Sequence, residues 1–187
     1  MSEKFKRKYR NETTRLKSWD YGWNGSYFVT ICAKNRERYF GEIKNDEMFL
    51  SEIGKIANQC WKEVPDHFPF VKLGEFVVMP NHVHGIIIID KKNNELDSNL
   101  IVGAQNLASL HVSKQNSLNK FGPQSKNLGS IVRGFKIGVT KKARKIRTDF
   151  QWQARYYDHI IRDQESFNNI SEYIRNNPSQ WKEDRFY

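Results

Sequence analysis

The amino-acid sequence predicts an α+β protein in which helices pack on one mainly antiparallel sheet. Three observations predict this class. Runs rich in β-branched and aromatic residues alternate with amphipathic runs of helical spacing, two strand-like runs flank a Pro-Asn turn signal, and a capped helical pattern lies near the end of the chain. The elements follow the order strand, helix, strand pair, helix, strand, helix, which is typical of an α+β sandwich.

The first half of the chain supplies a strand, a helix and a hairpin. Residues 26–33 (SYFVTICA) have the composition of a strand. Residues 48–64 place apolar side chains near helical spacing, which predicts an amphipathic helix. Residues 72–79 and 82–90 are strand-like and are separated by Pro80 and Asn81, so we expect an antiparallel hairpin.

The second half begins with a change of composition. Residues 91–127 are rich in Asn and Ser, which predicts an exposed insertion that is partly disordered. Helical spacing resumes at 127–146, and residues 153–162 are strand-like. Residues 163–178 predict a helix that is capped by Asp163 and ends at Pro178.

Charge and length bound the functional classes. The chain has 187 residues, enough for one domain with a core, and its 31 Lys and Arg against 21 Asp and Glu give a net charge of +10. This excess favours an anionic partner such as nucleic acid or an acidic membrane surface, although a solvated basic surface would give the same number. Residues 1–18 form a basic arm, and residues 19–187 form a single domain that includes the insertion.

Several classes are disfavoured by composition. Cys32 and Cys60 lack metal-ligand spacing and imply no disulfide framework. The N-terminal residues have no apolar core like that of a secretory signal, and Ile86 to Ile89 is too short a run to cross a bilayer. We therefore expect a soluble, cytoplasmic protein with no membrane partner.

Two histidines form the first candidate site. His82 and His84 alternate with Val83 in a predicted strand, so both imidazoles lie on one face, about 7 Å apart along the chain, and Val83 points into the core. Two imidazoles at this spacing can converge on one metal ion. The alternative is a pair of surface or capped histidines on an amphipathic strand.

The last predicted helix adds a tyrosine and an amide. Tyr173 and Asn177 are four residues apart and share a helical face, beside an apolar stripe of Phe167, Ile170 and Ile174. Asn177 offers an amide oxygen as a third metal ligand, and Tyr173 offers a phenolic nucleophile. The alternative for Tyr173 is a half-buried helix aromatic without a chemical role.

These residues lie in segments that resemble the REP-associated tyrosine transposases of the HUH-type, single-tyrosine superfamily of insertion sequences. The segments are YFVTICAKNRERYFGEI, MPNHVHGIIII, GSIVRGFKIGVTKKAR and WQARYYDHIIRDQESFNNISEYIRNNPSQW. The resemblance extends from about Arg15 to Trp181 and is weakest over 91–127. It implies a ferredoxin-like fold with the two histidines on a central strand. It also implies cleavage and rejoining of single-stranded, hairpin-containing DNA through a covalent 5′-phosphotyrosine.

Carried over to this sequence, the resemblance assigns the metal-binding pair to His82 and His84, the third ligand to Asn177, and the nucleophile to Tyr173. Two imidazoles and an amide oxygen leave open positions for phosphate oxygens, and a set without a thiolate favours Mg²⁺ or Mn²⁺ over structural zinc. A tyrosine with an ordinary pKa of about 10 must lose its proton as it attacks, and no base is spaced beside Tyr173. Tyr157 is the second candidate for the nucleophile.

The predicted DNA contacts are basic. They fall in the arm and at the end of the helix over 127–146, where they would bind phosphates with little sequence selectivity. The residues are Lys6, Arg7, Lys8, Arg10, Arg15, Lys141, Lys142, Arg144, Lys145 and Arg147. Two further readings stay open: a nucleic-acid-binding module without catalysis, and a metal-dependent phosphodiesterase that forms no covalent adduct. The insertion and the absence of an obvious C-terminal extension favour a monomer over a homodimer.

Overall fold

The computed structural model describes Leu16, residues 18–91 and residues 125–183. Strands and helices in these ranges are β1 (Gly25–Cys32), β2 (Gly41–Lys44), β3 (Glu47–Leu50), α1 (Glu52–Lys62), α2 (Val64–His67), β4 (Val71–Val78), β5 (His82–Ile89), α3 (Leu128–Ala143), β6 (Tyr157–Ile161) and α4 (Gln164–Asn176). The described part of the chain contains no helix long and apolar enough to cross a membrane.

Four strands form an antiparallel sheet in the order β4-β5-β1-β6. With the connecting helices α1 and α3, the chain follows the path β-α-β-β-α-β, and this strand order makes the fold ferredoxin-like. The α+β class and the ferredoxin-like sheet predicted from the sequence are therefore confirmed. Helix α4 follows the last strand and is added to this core.

One face of the sheet carries the main hydrophobic core. Helices α1 and α3 pack against each other and cover this face. Trp61 of α1 and Phe135 of α3 meet edge to face, with ring centroids 5.1 Å apart, and Val83 and Ile87 of β5 belong to the same cluster. Val83 thus points into the core, as its alternation with the histidines predicts.

Helix α4 lies on the other face of the sheet, against β4 and β5. A smaller cluster forms there from Ile174 of α4, Ile86 of β5 and Ile161 of β6, with Phe167 and Ile170 packed against it. The stripe that the sequence predicts on this helix is therefore what docks it on the sheet. The docking fixes which residues of α4 can reach the strands.

The hairpin turn that precedes His82 is tied to neighbouring loops. The amide of Met79 donates to the carbonyl of His82 at 2.8 Å, which closes the turn between β4 and β5. The carbonyl of Pro80 accepts from the amide of Phe40 at 3.0 Å, and the carbonyl of Asn81 accepts from the amide of Ala33 at 2.8 Å. The predicted hairpin at Pro-Asn is confirmed, and its turn holds the start of β5 in place.

The start of the first helix was predicted wrongly. Residues 48–50 belong to strand β3, which pairs with β2 as a separate hairpin, and α1 begins only at Glu52. Ser51 is the N-cap, and its hydroxyl accepts from the amide of Gly54 at 3.0 Å. The predicted strand over 153–162 is also shorter, because only Tyr157–Ile161 pairs with β1. Arm residues 1–15 and most of the insertion, 92–124, lie outside the described residues.

Candidate active site

The two histidines lie at the start of the central strand β5, on the face that α4 covers. Both side chains are buried, and their ring centroids are 4.3 Å apart. The pairing of β5 with β1 sets Thr30 opposite His84, and the ring of Phe28 stacks on the His84 imidazole with centroids 5.3 Å apart. The histidines are therefore packed side by side in the sheet and are not solvated surface residues.

A hydrogen bond orients each imidazole through Nδ1. His82 Nδ1 lies 2.8 Å from Asn81 Oδ1, and His84 Nδ1 lies 2.9 Å from Thr30 Oγ1. Because the amide oxygen of Asn81 only accepts, Nδ1 of His82 is the protonated nitrogen and Nε2 carries the lone pair. A hydroxyl partner permits the same tautomer at His84. Metal-binding histidines are commonly held in this way by an oxygen behind the ring.

Tyr173 reaches the histidine pair from α4. Its hydroxyl oxygen lies 3.3 Å from His84 Nε2, and its ring lies 6.2 Å from that of Phe28. The tyrosine is 38% exposed, so its hydroxyl sits between the buried imidazole and solvent. The two parts of the predicted site, separated by 89 residues in the sequence, are thus brought within hydrogen-bonding distance.

The helix that presents Tyr173 is capped as the sequence predicts. Asp163 is the N-cap, and its carboxylate accepts from the amide of Ser166 at 2.7 Å. This backbone hydrogen bond holds the pKa of Asp163 below its usual value, so the carboxylate stays charged at the positive end of the helix dipole. The rotation of α4 about its axis is then set by the apolar contacts of Ile174 and Phe167 with the sheet.

Asn177 is the C-cap residue of α4, one turn beyond Tyr173, and its side chain is buried. Tyr173 contacts His84, and Trp181 has its ring centroid 6.0 Å from that of His82. The chain segment that contains Asn177 is therefore held against the histidine pair at both ends. This arrangement suits the predicted role of Asn177 as a third oxygen donor, which stays a prediction.

The donor set fits a divalent cation that accepts imidazole and oxygen ligands. Among the residues that the structure describes, no group of three His, Cys, Asp or Glu side chains could hold a metal ion, and the buried amide of Asn177 is the oxygen donor that the sequence predicts beside the two imidazoles. Two imidazoles with one amide oxygen are too few donors for a closed structural zinc site, and they suit Mn²⁺ or Mg²⁺ with open positions.

Of the predicted DNA contacts in this region, Lys141 and Lys142 lie on α3, which packs on the core face of the sheet, and Arg144, Lys145 and Arg147 follow the end of that helix. Lys142 pairs with Glu63 at 3.3 Å, and hydrogen bonds from Gln59 and Lys142 hold the pKa of Glu63 below its usual value. Arg147 forms two hydrogen bonds with Asp149, at 3.0 and 2.9 Å. Arg144 Nε donates to the carbonyl of Phe150 at 3.1 Å. Lys141 and Lys145 are exposed. The structure does not bring this group together with the histidines.

Four residues of the site were missed by sequence reasoning. Asn81 had a local signal, since it directly precedes His82, but it was interpreted only as a turn residue. Phe28 and Thr30 reach the site only through the register between β1 and β5. Trp181 reaches it only through the turn after α4. Tyr157, the second candidate for the nucleophile, is exposed on β6, and its ring lies 6.3 Å from that of Phe28.

Comparison with known proteins identifies relatives over most of the chain. An uncharacterized protein of Haemophilus influenzae is 43% identical over 181 residues, which are 96% of this chain and 94% of that protein. A second protein of Haemophilus influenzae, whose name assigns it to the REP-associated tyrosine transposases, is 24% identical over 159 residues, 85% of this chain and 73% of that protein. No protein-family model matches the chain.

A solved structure of a REP-associated tyrosine transposase bound to a REP hairpin superposes with a TM-score of 0.57 at 17% identity, covering 92% of this chain and 74% of that one. At this identity the match establishes a shared fold. The 43% relative belongs to one family with this chain, and the named relative confirms the family resemblance that the sequence predicts.

Proposed function

We propose, from the premise that the chain belongs to the REP-associated tyrosine transposases, that it cleaves and rejoins single-stranded, hairpin-containing DNA. Tyr173 is the nucleophile of this reaction, and His82, His84 and Asn177 hold a divalent metal ion. The single observation that carries the proposal is the 3.3 Å contact between the Tyr173 hydroxyl and Nε2 of His84. This contact places the proposed nucleophile, on α4, beside the proposed metal ligands, on β5, although the two elements are remote in the sequence.

The tyrosine step requires one bond to form and one to break. The phenolic oxygen of Tyr173 attacks the phosphorus of a phosphodiester, the new Oη–P bond attaches the 5′ phosphate to the protein, and the 3′ oxygen leaves and takes up a proton. Tyr173 loses its own proton in this step. Since His84 would hold the metal ion through Nε2, that nitrogen would not be available to accept the proton. The proton would then pass to solvent, which the 38% exposure of Tyr173 permits.

The covalent step conserves the phosphodiester bond energy. A free 3′ hydroxyl can attack the phosphotyrosine, release Tyr173 and join two strands without a nucleotide cofactor. When bound by His82, His84 and Asn177, Mg²⁺ or Mn²⁺ would stabilise the charge that develops on the non-bridging phosphate oxygens. The contributions of the chain itself are to orient both imidazoles through Asn81 and Thr30 and to hold Tyr173 on the rigid helix α4.

The substrate class rests on the family and on the charge of the chain. The solved protein of the same fold is bound to a REP hairpin, and the net charge of +10 suits a polyanionic substrate. Single-stranded DNA is the form proposed because the phosphate has to approach the Tyr173 hydroxyl, which lies where α4 faces the sheet. An unpaired strand can enter this space more easily than a duplex can.

The test is a search for the covalent adduct. Hairpin oligonucleotides with single-stranded flanks are labelled on the 3′ side of the expected cut, so that the label stays on the fragment joined to Tyr173. They are incubated with protein and Mn²⁺ or Mg²⁺ and run on a denaturing protein gel. We expect a labelled band at the mass of protein plus DNA. Tyr173→Phe should lower its formation by a factor on the order of 10³ or more, because no neighbouring side chain replaces the nucleophile.

Tyr157→Phe is the matched control, since Tyr157 is also an exposed tyrosine beside Phe28. It should form the adduct at a rate similar to that of the unmodified protein. Cleavage without an adduct, persisting in Tyr173→Phe, would instead identify a metal-dependent phosphodiesterase. An adduct that survives in Tyr173→Phe and is lost in Tyr157→Phe would transfer the nucleophile role to Tyr157.

A further inference from the structure

A groove lies along the exposed side of α3, outside the candidate active site. Its volume is about 690 Å³, and its walls are α3 and the segment that leads from Trp152 into β6. The residues that line it are Gly129, Val132, Arg133, Lys136, Ile137, Thr140, Lys141, Arg144, Arg155 and Tyr156. The positions on α3 recur at helical spacing, so they form one continuous strip of the helix surface.

The second wall is fastened to α3 by Lys136. Its ammonium group donates to the carbonyl of Gln153 at 2.8 Å and to the carbonyl of Arg155 at 2.6 Å. In return, the indole Nε1 of Trp152 donates to the carbonyl of Lys136 at 3.2 Å. The groove is therefore built by specific hydrogen bonds between two parts of the chain. Because its ammonium is used in this way, Lys136 is a positioning residue and not a contact for a ligand.

The rim of the groove is cationic and its floor is largely apolar. Five of the ten lining residues are Lys or Arg, and none of the ten is acidic. Arg133, Lys141, Arg144 and Arg155 are exposed. Between them Ile137 is 60% exposed, and Tyr156 borders the same space, so an apolar and an aromatic side chain lie among the rim charges. A ligand that fits this groove carries negative charges along its edge and a flat or apolar group in its middle.

We propose that this groove binds a segment of single-stranded DNA, with phosphates on the cationic rim and an unpaired base or sugar against Ile137 and Tyr156. A nucleic-acid strand combines regular negative charge with apolar faces, and basic grooves with apolar or aromatic surfaces are the usual way to hold it. The proposal rests on the proposed function in one respect: the bound strand belongs to the same DNA that is cut at Tyr173.

The position of the groove relative to the active site supports this assignment. Its wall, residues 153–156, continues directly into β6, which is an edge strand of the sheet. The other face of the sheet carries the histidines and α4. A strand held in the groove can therefore pass around the β6 edge and reach Tyr173 without crossing the sheet. The groove would hold the DNA on the side of the sheet that α3 covers, while the reaction occurs on the face that carries the histidines.

The test measures the affinity for a fluorescently labelled single strand of mixed sequence by anisotropy, at several salt concentrations. The variant Arg133→Glu/Lys141→Glu reverses two rim charges that are exposed on α3. We expect its Kd to rise at least about tenfold and the slope of log Kd against log salt to fall by about 1.4, since each phosphate contact on a single strand contributes about 0.7. Ile137→Ala should raise the Kd less and leave the slope unchanged.

The matched control is Lys55→Glu/Lys72→Glu, which makes the same charge change at exposed positions of α1 and of β4, the edge strand opposite β6. Its Kd should change no more than about twofold, because neither residue lines the groove and charges away from the bound strand are screened by salt. Circular dichroism establishes that each variant is folded. If both double variants weaken binding equally, or if neither does, the groove is not the binding surface and the proposal is wrong.

Adduct formation, measured in parallel, separates this proposal from the proposed function. Tyr173→Phe should bind the strand as the unmodified protein does, because Tyr173 does not line the groove. Loss of binding in the groove variant, with no adduct formed by any variant, would support the groove and overturn the tyrosine mechanism. An adduct formed by the unmodified protein, with full binding by the groove variant, would overturn the groove and leave the tyrosine mechanism in place.

Discussion

The two faces of the central strand β5 are built from neighbouring residues and serve different purposes. On the core face, Val83 and Ile87 belong to the main hydrophobic cluster, and Gly85 lies so close to α1 that a Cβ added there would overlap the indole ring of Trp61. On the opposite face, His82 and His84 are equally buried, yet oxygen atoms of their neighbours hold them. On the core face the side chains are held by close packing, and on the opposite face the two imidazoles are oriented by hydrogen bonds.

The contrast shows how one strand can carry stability and a reactive site together. Burial of apolar side chains stabilises the folded state without depending on the direction of any single interaction, and it requires packing without cavities. It does not by itself create a reactive group. A buried pair of imidazoles lowers stability unless its nitrogen atoms have hydrogen-bond partners. With such partners, each imidazole has a defined tautomer and orientation. We therefore expect substitutions on the two faces to separate stability from activity.

The largest expected effect comes from comparing Ile87→Ala with His84→Asn. Ile87→Ala removes a buried core side chain and should lower the free energy of unfolding by about 2–5 kcal/mol. His84→Asn keeps a polar group beside Thr30 and should lower the free energy of unfolding by less than Ile87→Ala does, by about 1–2 kcal/mol. It should also reduce adduct formation about 10²–10⁴-fold, because a ligand of the proposed metal ion is lost and the charge stabilisation that this ion supplies is worth several kcal/mol. Urea unfolding and the gel assay measure the two quantities.

The comparison fails if the two variants change the same quantity. Adduct formation by Ile87→Ala, measured well below its unfolding temperature, should stay near that of the unmodified protein. If His84→Asn instead unfolds as readily as Ile87→Ala, the histidine face contributes to stability in the way that the core does. The separation of the two faces would then be wrong.

Local signals were sufficient to predict α4 and the histidine strand. Asp163 and Pro178 mark the limits of α4 because capping and termination depend on nearby residues alone. The spacings of His82 with His84 and of Tyr173 with Asn177 likewise depend only on the strand and helix repeats. Each half of the candidate site could therefore be predicted before its partner was known.

The errors came from signals that compete or are not local. Met48, Phe49 and Leu50 continue an apolar spacing into α1, and this hid the two-residue turn at Asn45 and Asp46. Both turn residues have positive φ, 50° and 63°, which is the conformation of a tight hairpin. Thr30 could not be found at all from the sequence, since it lies 54 positions before His84 and meets it only in the folded sheet.

A second, smaller effect compares two tyrosines. Tyr27 on the core face is fully buried, its hydroxyl donates to the carbonyl of Trp23 at 3.1 Å, and burial raises its pKa to about 12. In the unfolded chain a tyrosine has a pKa of about 10. Between these values the folded state keeps a proton that the unfolded state loses. Stability is therefore complete below about pH 10 and falls by roughly 2–3 kcal/mol as the pH rises to about 12.

The measurement is the free energy of unfolding in urea from about pH 9 to pH 12. The matched variant is Tyr27→Phe, which keeps the ring and removes the titrating hydroxyl. The difference between the two proteins isolates Tyr27, because all other groups titrate in both. A difference that stays constant over this range would show that the core face does not suppress ionisation of Tyr27. Tyr173, 38% exposed, is the contrasting tyrosine at the reactive face.

The smallest effect tests the hydrogen bond that orients His84. Thr30→Val has nearly the shape of threonine but leaves Nδ1 of His84 without the oxygen that lies 2.9 Å away. We expect the affinity for Mn²⁺, measured by calorimetry, to fall about tenfold, the lower end of the range for a lost outer partner of a metal-binding histidine. Adduct formation should fall with it at limiting metal and recover as Mn²⁺ is raised.

Thr30→Ser is the control for the same position, because it removes a methyl group and keeps the hydroxyl. If orientation of the imidazole is what Thr30 contributes, Thr30→Ser binds Mn²⁺ as tightly as the unmodified protein does, although it loses packing. If Thr30→Ser and Thr30→Val lose affinity equally, the methyl group matters more than the hydrogen bond. The histidine face would then depend on shape in the same way as the core face, and the distinction between the two faces of β5 would not hold at this residue.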